Sequence, residues 1–183
     1  EPADLAAIDH PRIAYVGNLN RKVDFPLVAG LAEARPAWQF VFVGAIGRLD
    51  PETEAGLARC RELGNVHFLG AKDHHQLPAY TGHMDVNIMC YRYGEGLWSD
   101  GGYPLKLHEY LAAGKPVVGA GLPSLRPFSE VVAVVREPGE WEKAIEAAIA
   151  GGGVGTEAER QAVARDNSWD RRVADLDGWL GSL

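Results

Sequence analysis

The chain has 183 residues, 46% of them hydrophobic and 23% charged, with a formal net charge of −7. That length suits one α/β domain with a full core rather than two domains. The negative charge excludes the broad basic face of a nucleic-acid binder, and no apolar run approaches the roughly 20 residues that would cross a bilayer.

In chain order, Arg12–Gly17 (RIAYVG) and Trp38–Gly44 (WQFVFVG) are near-continuous apolar runs ending in glycine, the pattern of strands buried on both faces. Between them Phe25, Leu27, Val28, Leu31 and Ala32 recur at helical spacing until Pro36, which makes a βαβ unit. The alternation continues with a helix over Pro51–Leu63, a strand at Val66–Leu69, a helix over Leu77–His83 and a strand at Val86–Cys90. A helix over Pro104–Ala113, a strand at Pro116–Gly119, a short segment near Ser124–Phe128, a strand at Val131–Val135 and a helix over Glu140–Ala150 follow. The glycine-rich stretch Gly151–Gly155 then leads into a polar tail and an amphipathic helix over about 167–181, in which Trp169, Val173, Leu176 and Leu180 share one face. That helix either packs on this domain or reaches toward a partner domain.

This alternation predicts an α/β fold: one Rossmann-like domain over residues 1–183 with a doubly wound parallel sheet and right-handed crossovers. Ligands of such sheets sit at the carboxyl ends of the strands near the switch in strand order, which directs attention to the loops after Gly17, Gly44, Gly70 and Cys90. Cys60 and Cys90 have no CxxC spacing and carry neither a disulfide framework nor a zinc site, which fits a reducing cytoplasm. The opening residues Glu-Pro-Ala-Asp-Leu hold neither an initiator Met nor the blocks of a signal peptide, so the chain reads as a segment of a longer protein.

The stretch that carries chemistry is SDGGYPLKLHEYLAAGKPVVG, Ser99 to Gly119. Pro104 suits the first helical position, and Tyr103 before it cannot cap the first-turn amides. Lys106 puts a cation in the first turn, against the helix dipole. A bound phosphate would resolve both features, with Gly101 and Gly102 letting the backbone approach closely. Glu109, one turn on, is spaced to accept from ribose hydroxyls. The competing reading, a surface Lys106–Glu109 ion pair, has the Lys before the Glu, the weaker orientation. The residues by themselves reach a nucleotide or sugar-phosphate site.

The string YPLKLHEYLAAGKPVV resembles the donor-site signature of the family-4 retaining glycosyltransferases of the GT-B fold. The resemblance extends through YVGNL, LAEARPAWQFVFVG, NVHFLG and MDVNIMCYR, leaving only the last thirty or so residues loosely matched. It implies the C-terminal, donor-binding half of a two-domain enzyme whose N-terminal acceptor domain is absent here. Glu109 would then bind the ribose of a UDP- or GDP-linked sugar, and Lys106 with the backbone of Gly102, Tyr103, Pro104 and Leu105 would contact the diphosphate or sugar. Gly70, Ala71 and Lys72 would lie against the base. Gly17 and Asn18 would approach the distal phosphate, with Arg21 or Lys22 supplying a cation. The resemblance implies no metal and no cofactor beyond the donor, and a cytoplasmic enzyme that could meet a membrane through its other domain. One departure stands out: where relatives carry the first Glu of a Glu-x7-Glu pair this chain has Gly101, with Asp100 adjacent but out of register.

Other residues point less sharply. The adjacent His74 and His75 diverge by about 100° on a helix and do not converge on a metal. His67 reads as a structural strand residue, His108 as a cleft-lining or solvent-facing neighbour of Glu109, Asp85 as a turn or cap, and Tyr91, Arg92 and Tyr93 as possible sugar contacts. A serine-hydrolase elbow and a phosphate-binding GxxxxGK[ST] loop are both missing from the sequence. A nucleotide-sugar epimerase and a non-catalytic nucleotide-binding module stand as alternatives.

Overall fold

The computed structural model describes residues 1–94 and 101–181. Among them six parallel strands form one sheet: β1 (Arg12–Val16), β2 (Gln39–Val43), β3 (Val66–Phe68), β4 (Val86–Met89), β5 (Val117–Ala120) and β6 (Ala133–Val135), in the order β3-β2-β1-β4-β5-β6. The apolar runs become the central strands because both faces are covered: every residue of β1, β4 and β5 is buried. Strand order reverses between β1 and β4, the position at which a doubly wound sheet opens a crevice at its carboxyl edge.

Helices α2 (Phe25–Ala34) and α3 (Pro51–Glu62) start where the sequence marks them. Each has an Asp cap, Asp24 accepting from the Leu27 amide and Asp50 from the Thr53 amide, and a proline in its first turn. Helix α4 (Leu77–Gly82) follows a 3₁₀ turn at His74–Gln76, and α5 is Lys106–Ala112. The expected start of α5 at Pro104 moves two residues downstream. Its entry is closed by i−3 bonds, Leu107 N–H to Pro104 O (3.0 Å) and His108 N–H to Leu105 O (3.3 Å), so Pro104 and Leu105 form a tight lead-in turn.

Two helices were not foreseen. The first, α1 (Ala3–Ala6), is too short to show a period and is anchored by the fully buried Leu5. After α6 (Glu140–Gly151), the polar tail folds as α7 (Glu157–Asp166), opened by a capping box between Thr156 and Glu159. Buried Arg160 ties α7 down by donating to the carbonyls of Gly114 (2.9 Å), Gly152 (3.1 Å), Val154 (2.8 Å) and Gly155 (3.0 Å). A guanidinium satisfied by four carbonyls leaves no apolar stripe for a sequence to display. The terminal helix, α8 (Trp169–Leu180), forms where expected, capped by Ser168, but its apolar stripe faces outward. Trp169 is 72% and Leu180 60% exposed, so that stripe does not pack on this domain.

Candidate functional site at the switch point

Strands β1 and β4 pair only at Ile13–Val86 and Ala14–Asn87, then part. Tyr110 of α5 fills the opening. Its buried hydroxyl accepts from the Val16 N–H at 2.7 Å and donates to the Val16 carbonyl at 3.2 Å, groups that an adjacent strand would otherwise pair. This pins α5 to the end of β1 and fixes where Lys106, one turn earlier, can reach.

Lys106 reaches inward. Its Nζ lies 3.5 Å from the ring centroid of Tyr15 and 5.4 Å from that of Tyr91, one ring from β1 and one from the residue after Cys90. A Cβ on Gly17 would stand 2.6 Å from that Nζ, so the ammonium occupies space only glycine leaves open. Among the described residues no carboxylate pairs with it, and the surface Lys106–Glu109 ion pair does not form. Burial, with some help from Lys22, pushes its pKa down to about 7. The aromatic faces compensate only part of the lost hydration. The arrangement is an under-neutralised cation at the sheet's carboxyl edge, poised for an anion. The amides of Leu105 and Lys106 have no backbone acceptor among the described residues.

The loop after β1 crosses this edge. Leu19 N–H bonds Ala45 O, Arg21 N–H bonds Arg48 O, Asp24 N–H bonds Cys90 O, and Arg92 N–H bonds Lys22 O, so the loop is laced to the ends of both β2 and β4. Gly17 lies against Lys106 and Lys22 close enough to act on its charge, while Asn18 and Arg21 are exposed on the same loop. Gly44 and Gly70 continue the row, the Gly44 N–H bonding Gly70 O at 2.8 Å, with Ala71 exposed after them. Lys72 is engaged elsewhere: its ammonium donates to Asp4 at 2.6 Å and lies over the Tyr80 ring.

Glu109 is half-exposed and forms the ridge between two clefts. One, of about 270 Å³, runs between α4 and α5 and is lined by His74, Leu77, Pro78 and Thr81. The other, of about 510 Å³, is lined by Leu105, His108, Trp169 and Arg172. His74 Nε2 lies 3.9 Å from the Glu109 carboxylate, a neighbour the sequence did not signal. Gly101 faces open space, and the Gly102 carbonyl accepts from Ser124 Oγ at 2.6 Å. Asp100 lies outside the described residues.

The remaining candidates take structural places. His67 bonds Gln39 across β3 and β2 at 2.8 Å, and Asp85 accepts from the Arg12 N–H and from His10. Arg92 pairs with Asp50 and Glu52, and Tyr93 packs near Gly121. Cys60 and Cys90 are buried and unpaired, and burial pushes the Cys60 thiol up to about 12. The described residues contain no cluster of three or more His, Cys, Asp or Glu able to hold a metal, and no helix long and apolar enough to cross a membrane. Tyr15, which packs on Lys106, gives no signal in the sequence because, inside an apolar strand, it reads as core.

The topology and crevice define a Rossmann-like domain of the kind found in GT-B glycosyltransferases. The fold is similar to that of sucrose-phosphate synthase from Thermosynechococcus elongatus, with TM-score 0.75 and 21% identity, over 98% of this chain and 48% of that one. It is also similar to a glycosyltransferase involved in avilamycin A biosynthesis, with TM-score 0.69 and 19% identity, over 100% and 56% of the two chains. At these identities the likeness is one of fold. The sequence model of the glycosyl transferases group 1 matches residues 10–151, and the chain belongs to that family. It is 31% identical over 166 residues to a Bacillus subtilis (strain 168) protein that carries the name teichuronic acid biosynthesis glycosyltransferase TuaH. That match covers 86% of this chain and 40% of the relative, so the chain spans less than half of the relative's length.

Proposed function

We propose that this chain is the donor-binding half of a retaining, hexosyltransferase-type GT-B enzyme, taking a UDP- or GDP-linked sugar at the crevice between β1 and β4. The observation that carries the reading is the Lys106 ammonium, held against Gly17 by two aromatic faces and in no ion pair with a carboxylate among the described residues. A diphosphate there would restore full protonation of Lys106 and accept from the Leu105 and Lys106 amides. As the glycosidic bond breaks, negative charge grows on the leaving diphosphate, and a fixed cation and amides at that point lower the barrier without a metal. Glu109, half-exposed on its ridge, would accept from the ribose hydroxyls, with the loop at Gly17 to Lys22 covering the distal phosphate and the loop at Gly70 to Lys72 covering the base.

On this reading the acceptor is held by an N-terminal domain elsewhere in the parent polypeptide, and the outward stripe of α8 is available to it. The chain alone then binds donor without transferring sugar. A cytoplasmic location fits the two buried, unpaired cysteines.

The test is calorimetric titration of the chain with UDP, GDP, UDP-glucose and GDP-mannose, beside Lys106→Ala and Glu109→Ala. Saturable binding of one nucleotide series, weakened by both substitutions, supports the site and names the base. Absence of binding for all four at millimolar ligand favours a non-catalytic module, the reading that Gly101 in place of the first Glu keeps open.

A further inference from the structure

The loop that precedes α5 is held by side chains that the donor-site reading does not use. Tyr103 stacks on His108, ring centroids 5.8 Å apart at 28°, with its hydroxyl 2.5 Å from His108 Nε2. Phe128 stands edge-on to both rings. Arg172, from α8, donates to the Tyr103 hydroxyl at 3.3 Å, lies 3.5 Å from His108 Nε2, and is itself steadied by Asn167.

Arg172 can only donate, so the Tyr103 oxygen accepts from it, and the short contact between that hydroxyl and Nε2 joins the two rings. The surroundings favour neutral His108. Burial and the nearby Arg172 cation both push its pKa down, in the same direction. Nδ1 is buried, with no hydrogen-bond partner among the described residues. A buried ring nitrogen left without a partner is a cost that an apolar residue at 108 would avoid. The histidine is therefore kept at the expense of stability, in a cluster whose product is the position of Tyr103, next to Gly102, Pro104 and Leu105.

We infer that Tyr103, His108 and Arg172 are positioning residues: a relay from α8 through the Tyr103 hydroxyl to α5 that fixes the loop whose amides would meet the donor diphosphate. The part of this that concerns the diphosphate rests on the function proposed above. A consequence is that the loop's order depends on how α8 is seated.

The experiment reads amide hydrogen exchange over residues 101–106 and, in parallel, nucleotide affinity, in the 183-residue chain and in Tyr103→Phe, Arg172→Met, Arg172→Lys and the Tyr103→Phe/Arg172→Met double variant. Both single variants should raise exchange in this segment and weaken binding by about tenfold, the scale of one lost hydrogen bond to a charged group. The double variant should be no worse than either single one, because both act through one hydroxyl. Arg172→Lys, which keeps a donor, should recover part of the loss, which a purely packing role would not give. Unchanged exchange in Tyr103→Phe and Arg172→Met, or additive losses in the double variant, would overturn the relay. Faster exchange in a chain that binds none of the four nucleotides would leave the relay standing and remove the donor-site reading. The side chains changed are partly exposed, and unaltered circular dichroism would show that the variants fold.

Discussion

Gly17 and Lys106 share one space: the ammonium at the start of α5 stands 2.6 Å from where a side chain on residue 17 would begin. Residue 17 also has φ +139°, a conformation that L side chains rarely adopt. Gly17→Ala should therefore do two separable things. Backbone strain should lower stability by about 1–3 kcal/mol, and the displaced ammonium should weaken nucleotide binding. Thermal melts and calorimetry check each; an alanine variant with wild-type affinity would mean that the position of Lys106 does not matter to the ligand.

Lys106 sits in the folded chain with its pKa pushed from 10.5 down to about 7. Between those values the unfolded chain binds more protons than the folded one, so this group's contribution to stability is complete above pH 10.5 and is lost as pH falls through about 7. Lys106→Met keeps the apolar reach and removes the charge. It should stabilise the ligand-free chain at pH 6–7 by about 1 kcal/mol, or roughly 2–4 °C in Tm, with the gain fading toward pH 10, while nucleotide binding is lost. A variant less stable than wild type at pH 6 would show that the aromatic contacts outweigh desolvation.

The same shift makes ligand binding a proton-linked event. A diphosphate beside Lys106 raises its pKa, so binding near pH 8 should take up between about half and one proton, and affinity should fall by up to about tenfold per pH unit above pH 7. Calorimetry in two buffers of different ionisation enthalpy measures the uptake. A flat affinity between pH 7 and 9 with no uptake would place the anion elsewhere.

Arg160 holds four carbonyls of the glycine-rich connection and of the turn after α5. Arg160→Met should cost about 3 kcal/mol, because bonds from a charged donor are lost together and buried carbonyls are left short of partners. Denaturant unfolding checks the value, and a loss below about 1 kcal/mol would mean that water replaces the guanidinium.

The strands were readable because β1, β2 and β4 are buried on both faces and spell themselves as apolar runs, and α2 because Phe25, Leu27, Val28, Leu31 and Ala32 recur at helical spacing. Helix α7 carries a legible start in its Thr156–Glu159 capping box but no apolar stripe, since its main anchor is one buried arginine bonded to carbonyls of the preceding glycine-rich connection and of Gly114. The start of α5 was misplaced because a proline suited to the first helical turn here sits in a 3₁₀ lead-in.

For the site, the segment from Gly101 to Glu109 announced itself through a cation without a cap, a local anomaly that needs no tertiary knowledge. The family resemblance also lay in that segment. Only the folded chain decided where Lys106 goes: away from Glu109, onto Tyr15 and Tyr91, and against Gly17 from the far end of β1. The pairing of His74 with Glu109 and the relay from Arg172 to Tyr103 were likewise beyond the sequence, as was the outward face of α8. Local spacing specifies which residues share a turn or a face, because that is set by backbone geometry. Which faces meet depends on strand order and on the gap that opens between β1 and β4, and those arise only when distant segments bury one another.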